Sequence, residues 1–131
     1  MSRDKVLVGH QELGRFIRDV LVANGARPSD AAVVAEGLVW ANLRGGDGHG
    51  VSRLPNYVNF LKRGEIDPKV QPKLVHDRAA TFVIDVGHGF GPVAVMQGAT
   101  SEAVQAIEFL EKDGMHSDSP SVMMHACEIT V

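Results

Sequence analysis

The chain holds one cysteine, Cys127, in 131 residues. No intrachain disulfide is available, and nothing in the cysteine usage points to export. No apolar run approaches the roughly 18–20 residues that cross a bilayer. Behind Met1-Ser2-Arg3-Asp4-Lys5 the apolar stretch is only Val6-Leu7-Val8, too short for the core of a signal peptide. These absences make the cytoplasm the expected location and leave no role for a membrane. An excess of basic charge is missing too. The formal net charge is −3 and the isoelectric point is near 6.0, so the basic stripe of a nucleic-acid module is not expected. There is no repeat of useful length and no low-complexity tract. The six histidines include no helical i, i+4 pair around a glutamate, and with one cysteine they form no metal-ligand spacing.

What is present is an ordinary globular composition. With 44% hydrophobic and 22% charged residues, enough apolar side chains exist to offset the ordering entropy of one domain. Leu13, Phe16, Ile17, Val20 and Leu21 fall on one face of a helix over residues 10 to 25, stopped at Asn24-Gly25. Pro28-Ser29-Asp30 restarts the chain, with Ser29 or Asp30 expected as N-cap. Ala31, Val34, Ala35 and Leu38 repeat the spacing in a second helix that ends near Leu43-Arg44, giving an α-hairpin. A third helix carries Val51, Leu54, Val58 and Leu61. Pro55 restricts its start to the neighbourhood of Ser52, and Gly64 ends it.

The period then changes. Leu74–Asp77 and Thr81–Val86, separated by Arg78-Ala79-Ala80, predict a β-hairpin. After Gly87-His88-Gly89-Phe90-Gly91, Pro92 opens a long fourth helix with Val95, Met96, Ala99, Ala103, Ile107 and Leu110, terminated at Gly114. Glu108, Glu111 and Asp113 read as its solvated face. Residues 115–131 carry only fragments of strand pattern and are expected to pack weakly. The fold class is α+β, with residues 1–114 as the structured portion and 115–131 as an atypical tail.

Two segments invite chemistry. In Asp47-Gly48-His49-Gly50 the glycines strip bulk from around His49, so a ligand can approach it closely. Arg53 and Tyr57 come next at helical spacing, on one face. An imidazole proton donor, a guanidinium clamp and a phenol hydroxyl suit a small acid with a carbonyl beside its carboxylate. The competing reading is a surface glycine loop, with Arg53 a solvated charge and Tyr57 at the edge of the core. The second segment, Gly87–Gly91, follows a strand and precedes a helix. The dinucleotide fingerprint requires a third glycine where Pro92 stands, and strands arranged as a hairpin are the wrong flank for it. A plain turn feeding a helix is the expectation there.

The string Ala41-Asn42-Leu43-Arg44-Gly45-Gly46-Asp47-Gly48-His49-Gly50-Val51-Ser52-Arg53-Leu54-Pro55-Asn56-Tyr57-Val58 resembles the signature of the malate/L-lactate dehydrogenase family of NAD(P)H-dependent 2-oxo-acid reductases. That family is distinct from the Rossmann-type lactate and malate dehydrogenases. The resemblance covers roughly residues 10 to 110, including Leu61–Pro68 and the Phe82-Val83-Ile84-Asp85 strand. It implies a fragment of the family's α/β fold, a cytoplasmic oxidoreductase and a small 2-oxo or 2-hydroxy acid as substrate. NAD or NADP is the implied cofactor, and a homodimer is compatible with it. By the same resemblance His49 is the catalytic residue, while Arg53 binds the substrate carboxylate and Tyr57 lines the pocket. Gly48 stands where many members carry serine, so a contact of that hydroxyl with substrate or histidine is missing.

The family's C-terminal pattern is not matched. Where an apolar strand is expected, His116-Ser117-Asp118-Ser119-Pro120 comes after Gly114, and His125 precedes Ala126-Cys127-Glu128 in place of a small turn. This departure is what a truncated or frame-shifted reading of a longer gene produces. The isolated chain is accordingly expected to be inactive, with its cofactor-binding residues unassigned. Two other functions compete with an oxidoreductase fragment: a helical interaction module, and an acid-binding module without chemistry. Binding of NADH separates the enzyme from both.

Overall fold

The computed structural model describes residues 6–78, 81–100 and 128–130. They belong to two compact units, Met1–Lys69 and Val70–Val131. The boundary expected at Gly114 lies outside the described residues.

The first unit is helical. Helix α1 spans His10–Ala23, α2 spans Pro28–Leu43 and α3 spans Leu54–Arg63. Helices α1 and α2 pack as the expected hairpin. Ile17, Leu21 and Ala31 are fully buried, with Val34, Ala35 and Leu38 beside them in the core. Phe16 departs from expectation: it is 56% exposed, because Ile17 and Leu21 centre the buried stripe one residue further round the helix. Of the predicted α3 face only Leu54 is fully buried, with Val51, Val58 and Leu61 at intermediate depth.

All three helices stop in the same way. Gly25, Gly45 and Gly64 take φ values of 98°, 77° and 72°, a left-handed conformation in which a Cβ is strained. At α1 the Gly25 N–H donates to the Val22 carbonyl and the Ala26 N–H to the Leu21 carbonyl, both at 3.0 Å. At α2 Gly45 donates to Asn42 at 3.0 Å and Gly46 to Ala41 at 2.8 Å. At α3 Gly64 donates to Leu61 at 3.2 Å and Glu65 to Phe60 at 2.9 Å. Each pair closes the carbonyls that a helix end leaves open.

The start of α2 corrects the expected N-cap. The helix begins at Pro28 with Arg27 as its cap residue, and neither Ser29 nor Asp30 occupies that place. Proline at the first helical position costs no hydrogen bond, since that N–H has no partner in a helix. Asp30 falls in the first turn, where the helix dipole favours a carboxylate. Its Oδ2 accepts from Arg27 Nε at 2.9 Å and from Arg27 Nη2 at 2.7 Å.

In the second unit β1, Lys73–Arg78, pairs antiparallel with β2, Thr81–Asp85, as the hairpin expectation requires. The register shifts between Leu74 and His76, so Val75 is an extra residue on β1. Strand β3, Glu128–Thr130, lies on the other side of β2 and runs parallel to it. Two expectations change here. The tail supplies a paired strand where the sequence predicts only fragments. The glycine turn also sits between two parallel strands as well as behind a hairpin, since parallel pairing requires a crossover connection.

Residues 91–100 are helical, continuing the unit as α4. The buried face of α4 is not the predicted one. Val95 and Met96 are half exposed, whereas Ala94 is fully buried in a cluster with Ile84 and Val86. Val93 and Gly98 are buried with Ala94 on that helix. The remainder of the predicted helix and the segment with His116 and His125 lie outside the described residues. No helix among the described residues is long and apolar enough to cross a membrane.

Replacing a helix-stop glycine and a mid-helix glycine should have opposite signs. Gly25→Ala is expected to destabilise the chain by about 1–2 kcal/mol through the left-handed φ. Gly37→Ala should stabilise it by about 0.5–1 kcal/mol, since its added Cβ meets nothing within 4 Å in the interior of α2. Urea unfolding followed by circular dichroism reads both.

Candidate active site

The site grows out of the end of α2. Two single 3₁₀ turns, Asp47–His49 and Val51–Arg53, carry the chain from the glycine stop into α3. Helix α3 begins at Leu54, two residues after the expected start near Ser52, and Arg53 is its cap residue. Pro55 sits in the first turn, where it removes no hydrogen bond.

The turns are pinned from several sides. His49 N–H donates to the Gly46 carbonyl at 2.8 Å, and Arg53 N–H to the Gly50 carbonyl at 2.9 Å. The Ser52 hydroxyl donates to the Asp47 carbonyl. Arg53 Nε donates to the Gly48 carbonyl at 2.9 Å. The side chain of Asn42, in the last turn of α2, reaches both ends of the histidine segment. Its Nδ2 donates to Asp47 Oδ1 at 3.0 Å, and its Oδ1 accepts from the Val51 N–H at 2.7 Å. Gly50 is buried against this amide, and a Cβ there would overlap it.

His49, Arg53 and Tyr57 line one cavity of about 280 Å³, together with Leu38, Asn56, Phe60 and Ile66. His49 and Arg53 are exposed, and Tyr57 is half-buried. Arg53 is therefore more than a solvated charge: its Nε is held by the loop that precedes it. Gly48 does not line the cavity. Its carbonyl anchors Arg53, and a Cβ on it would meet nothing within 4 Å, so a serine at this place fits without a clash. Burial pushes the Tyr57 phenol above its ordinary 10.0, and the Arg53 charge partly opposes that shift. The group is a neutral hydroxyl near pH 7, able to donate or accept one hydrogen bond.

Asn42, Asn56 and Phe60 are not among the residues that the sequence assigns to the site. The second and third do carry a signal, since Arg53, Asn56, Tyr57 and Phe60 repeat at i, i+3, i+4 and i+7. The partners of Asn42 lie five and nine residues ahead, across a turn, where no helical or strand period reaches.

The Gly87–Gly91 segment is a poor seat for a nucleotide phosphate. Gly87 and His88 both have positive φ, 53° and 63°, and Gly89 N–H donates back to the Val86 carbonyl at 2.8 Å. Gly87 N–H is taken by Asp85 Oδ1 at 2.9 Å. Two N–H groups already taken by neighbouring acceptors and an adjacent carboxylate do not fit a pyrophosphate. Among the described residues no group of three or more His, Cys, Asp or Glu side chains is placed to hold a metal ion.

A family model described as malate/L-lactate dehydrogenase matches residues 8–115. L-sulfolactate dehydrogenase of Methanocaldococcus jannaschii is 42% identical over 79 residues, which are 60% of this chain and 23% of that protein. Malate dehydrogenase of Pyrococcus abyssi is 35% identical over 93 residues, covering 71% of this chain and 26% of that one. The solved malate dehydrogenase of Pyrococcus horikoshii superposes with a TM-score of 0.76 at 30% identity, over 79% of this chain and 30% of its own. The chain thus spans about a quarter of the length of the curated relatives it matches. With an α+β fragment of that architecture and a family match across most of its length, the chain belongs to the malate/L-lactate dehydrogenase family.

Proposed function

We propose that these residues form the substrate side of an oxidoreductase that interconverts 2-oxo and 2-hydroxy acids with NAD or NADP. The observation that carries this reading is the convergence of His49, Arg53 and Tyr57 on one small cavity. Its volume, about 280 Å³, suits an acid of a few carbon atoms. The names of the relatives, malate and sulfolactate dehydrogenases, describe acids of that kind.

The chemistry divides by residue. Arg53 keeps one nitrogen on the Gly48 carbonyl, which leaves its terminal donors for a carboxylate in the cavity it lines. A clamped carboxylate presents the neighbouring carbonyl in one orientation. His49 gives a proton to the carbonyl oxygen in reduction and removes it from the hydroxyl in oxidation. Tyr57 holds that oxygen or the carboxylate through its neutral phenol. The hydride belongs to a nicotinamide donor, for which the described residues build no cradle.

Each role has a readout. Titration of the full chain with pyruvate should show saturable binding that Arg53→Ala weakens about tenfold to a hundredfold, the range for a lost charge-assisted hydrogen bond. Equal affinity in both proteins removes Arg53 from the site. With NADH and 2-oxo acids the chain alone should oxidise no cofactor. When co-expressed with the remaining portion of a relative, His49→Ala should cut turnover by about a hundredfold or more.

Tyr57 is the single tyrosine of the chain, so phenolate absorbance reads it alone. Its midpoint should lie above 10.0 and rise further in Arg53→Ala, which removes the opposing charge. Because the folded pKa is the higher one, this group's contribution to stability is complete below 10.0 and is lost as pH rises through the folded value. A midpoint unmoved by Arg53→Ala contradicts the shared cavity.

A further inference from the structure

The amide of Asn42 is placed where no helix-capping role accounts for it. The α2 carbonyls are already closed by Gly45 and Gly46 through backbone bonds. Asn42 uses both ends of its amide elsewhere: Nδ2 on Asp47 and Oδ1 on Val51. Those two partners bracket Gly48-His49-Gly50. The side chain therefore ties the residue before the histidine segment to the residue after it, and ties both to a helix end. Gly50 packs against the same amide so closely that any side chain there would displace it. Such a bridge fixes the backbone that carries the imidazole without touching a ligand itself, since Asn42 does not line the cavity.

We propose that Asn42 is a positioning residue, whose amide bridge from Asp47 to Val51 holds His49 at the mouth of the cavity for reaction with a 2-oxo acid. This rests on reading the cavity as the acid site. The polarity of the bridge is specific. The Val51 N–H requires an acceptor, and the Asp47 carboxylate requires a donor. The Asn42 amide supplies both. A carboxylate at position 42 faces the Asp47 carboxylate as a like charge, and that repulsion drives the side chain off both partners.

The test exploits that polarity in the full chain, with pyruvate as the probe. Asn42→Ala and Asn42→Asp should each speed amide hydrogen exchange at Val51 by about tenfold and weaken pyruvate binding by about tenfold, the scale of one to two lost hydrogen bonds. Exchange in the α1 core around Ile17 should stay as in the parent. The double variant Asn42→Asp with Asp47→Asn exchanges donor and acceptor, and should return both readouts to within about threefold of the parent. That recovery separates positioning from a general loss of fold, because the double variant carries one more change than the single one.

Unchanged Val51 exchange in Asn42→Ala, or a double variant no better than Asn42→Asp, overturns the role of Asn42 while parental pyruvate binding leaves the acid site standing. A parent that binds no pyruvate overturns the acid site, and with it any positioning toward that substrate.

Discussion

The chain leaves α2 through Gly45 at φ 77° and a 2.8 Å bond from Gly46 to the Ala41 carbonyl, and the site hangs on that reversal. A Cβ on Gly46 would stand 3.1 Å from the Ala41 carbonyl oxygen, so the second glycine is held there by close approach as well. Once the helix is closed by backbone alone, the side chain of Asn42 is released to organise the two turns beyond it. Asp47, His49, Val51 and Arg53 are then fixed by bonds to Asn42, to Ser52 and to the neighbouring glycines, and α3 follows directly from the second turn. Loop chemistry here is carried by a rigid scaffold, which is how mobile-looking glycine segments come to hold reactive groups.

Electrostatics in the cavity stem from the same arrangement. Arg53 is anchored by a carbonyl, not by a carboxylate, so its charge remains available to a ligand anion. The Arg27–Asp30 pair at the start of α2 is the opposite case: there the guanidinium closes on an acid from two nitrogens and serves the helix end. Tyr57 feels both influences that shape the pocket, the apolar wall and the nearby cation. A neutral phenol, a guanidinium and an imidazole thus line one cavity.

Much of this was legible in the sequence, for reasons that are local. The three helix stops announce themselves because glycine takes a left-handed φ with no Cβ penalty, and Pro28 and Pro55 mark starts because proline inside a helix removes a hydrogen bond. The β-hairpin shows in its run of β-branched residues. His49, Arg53 and Tyr57 could be grouped because helical spacing brings them to one side. What escaped depends on tertiary choices. The face of α4 is decided by how closely Ala94 approaches Ile84 and Val86, which the bulkier Val95 and Met96 conceal from a count of apolar residues. The parallel partner of β2 comes from Glu128–Thr130, a segment too short to carry a period of its own. The Val75 bulge and the bridge from Asn42 likewise involve pairings that no repeat predicts.

If His49, Arg53 and Tyr57 act together on a small acid, one ligand must perturb all three at once. Chemical-shift mapping of the isotopically labelled full chain during titration with pyruvate tests this most directly. Saturable shifts should converge on one affinity at His49, Arg53 and Tyr57, with Gly87–Gly91 unmoved. Shifts centred on the Gly87–Gly91 turn, or none at Arg53 at saturating pyruvate, would contradict it.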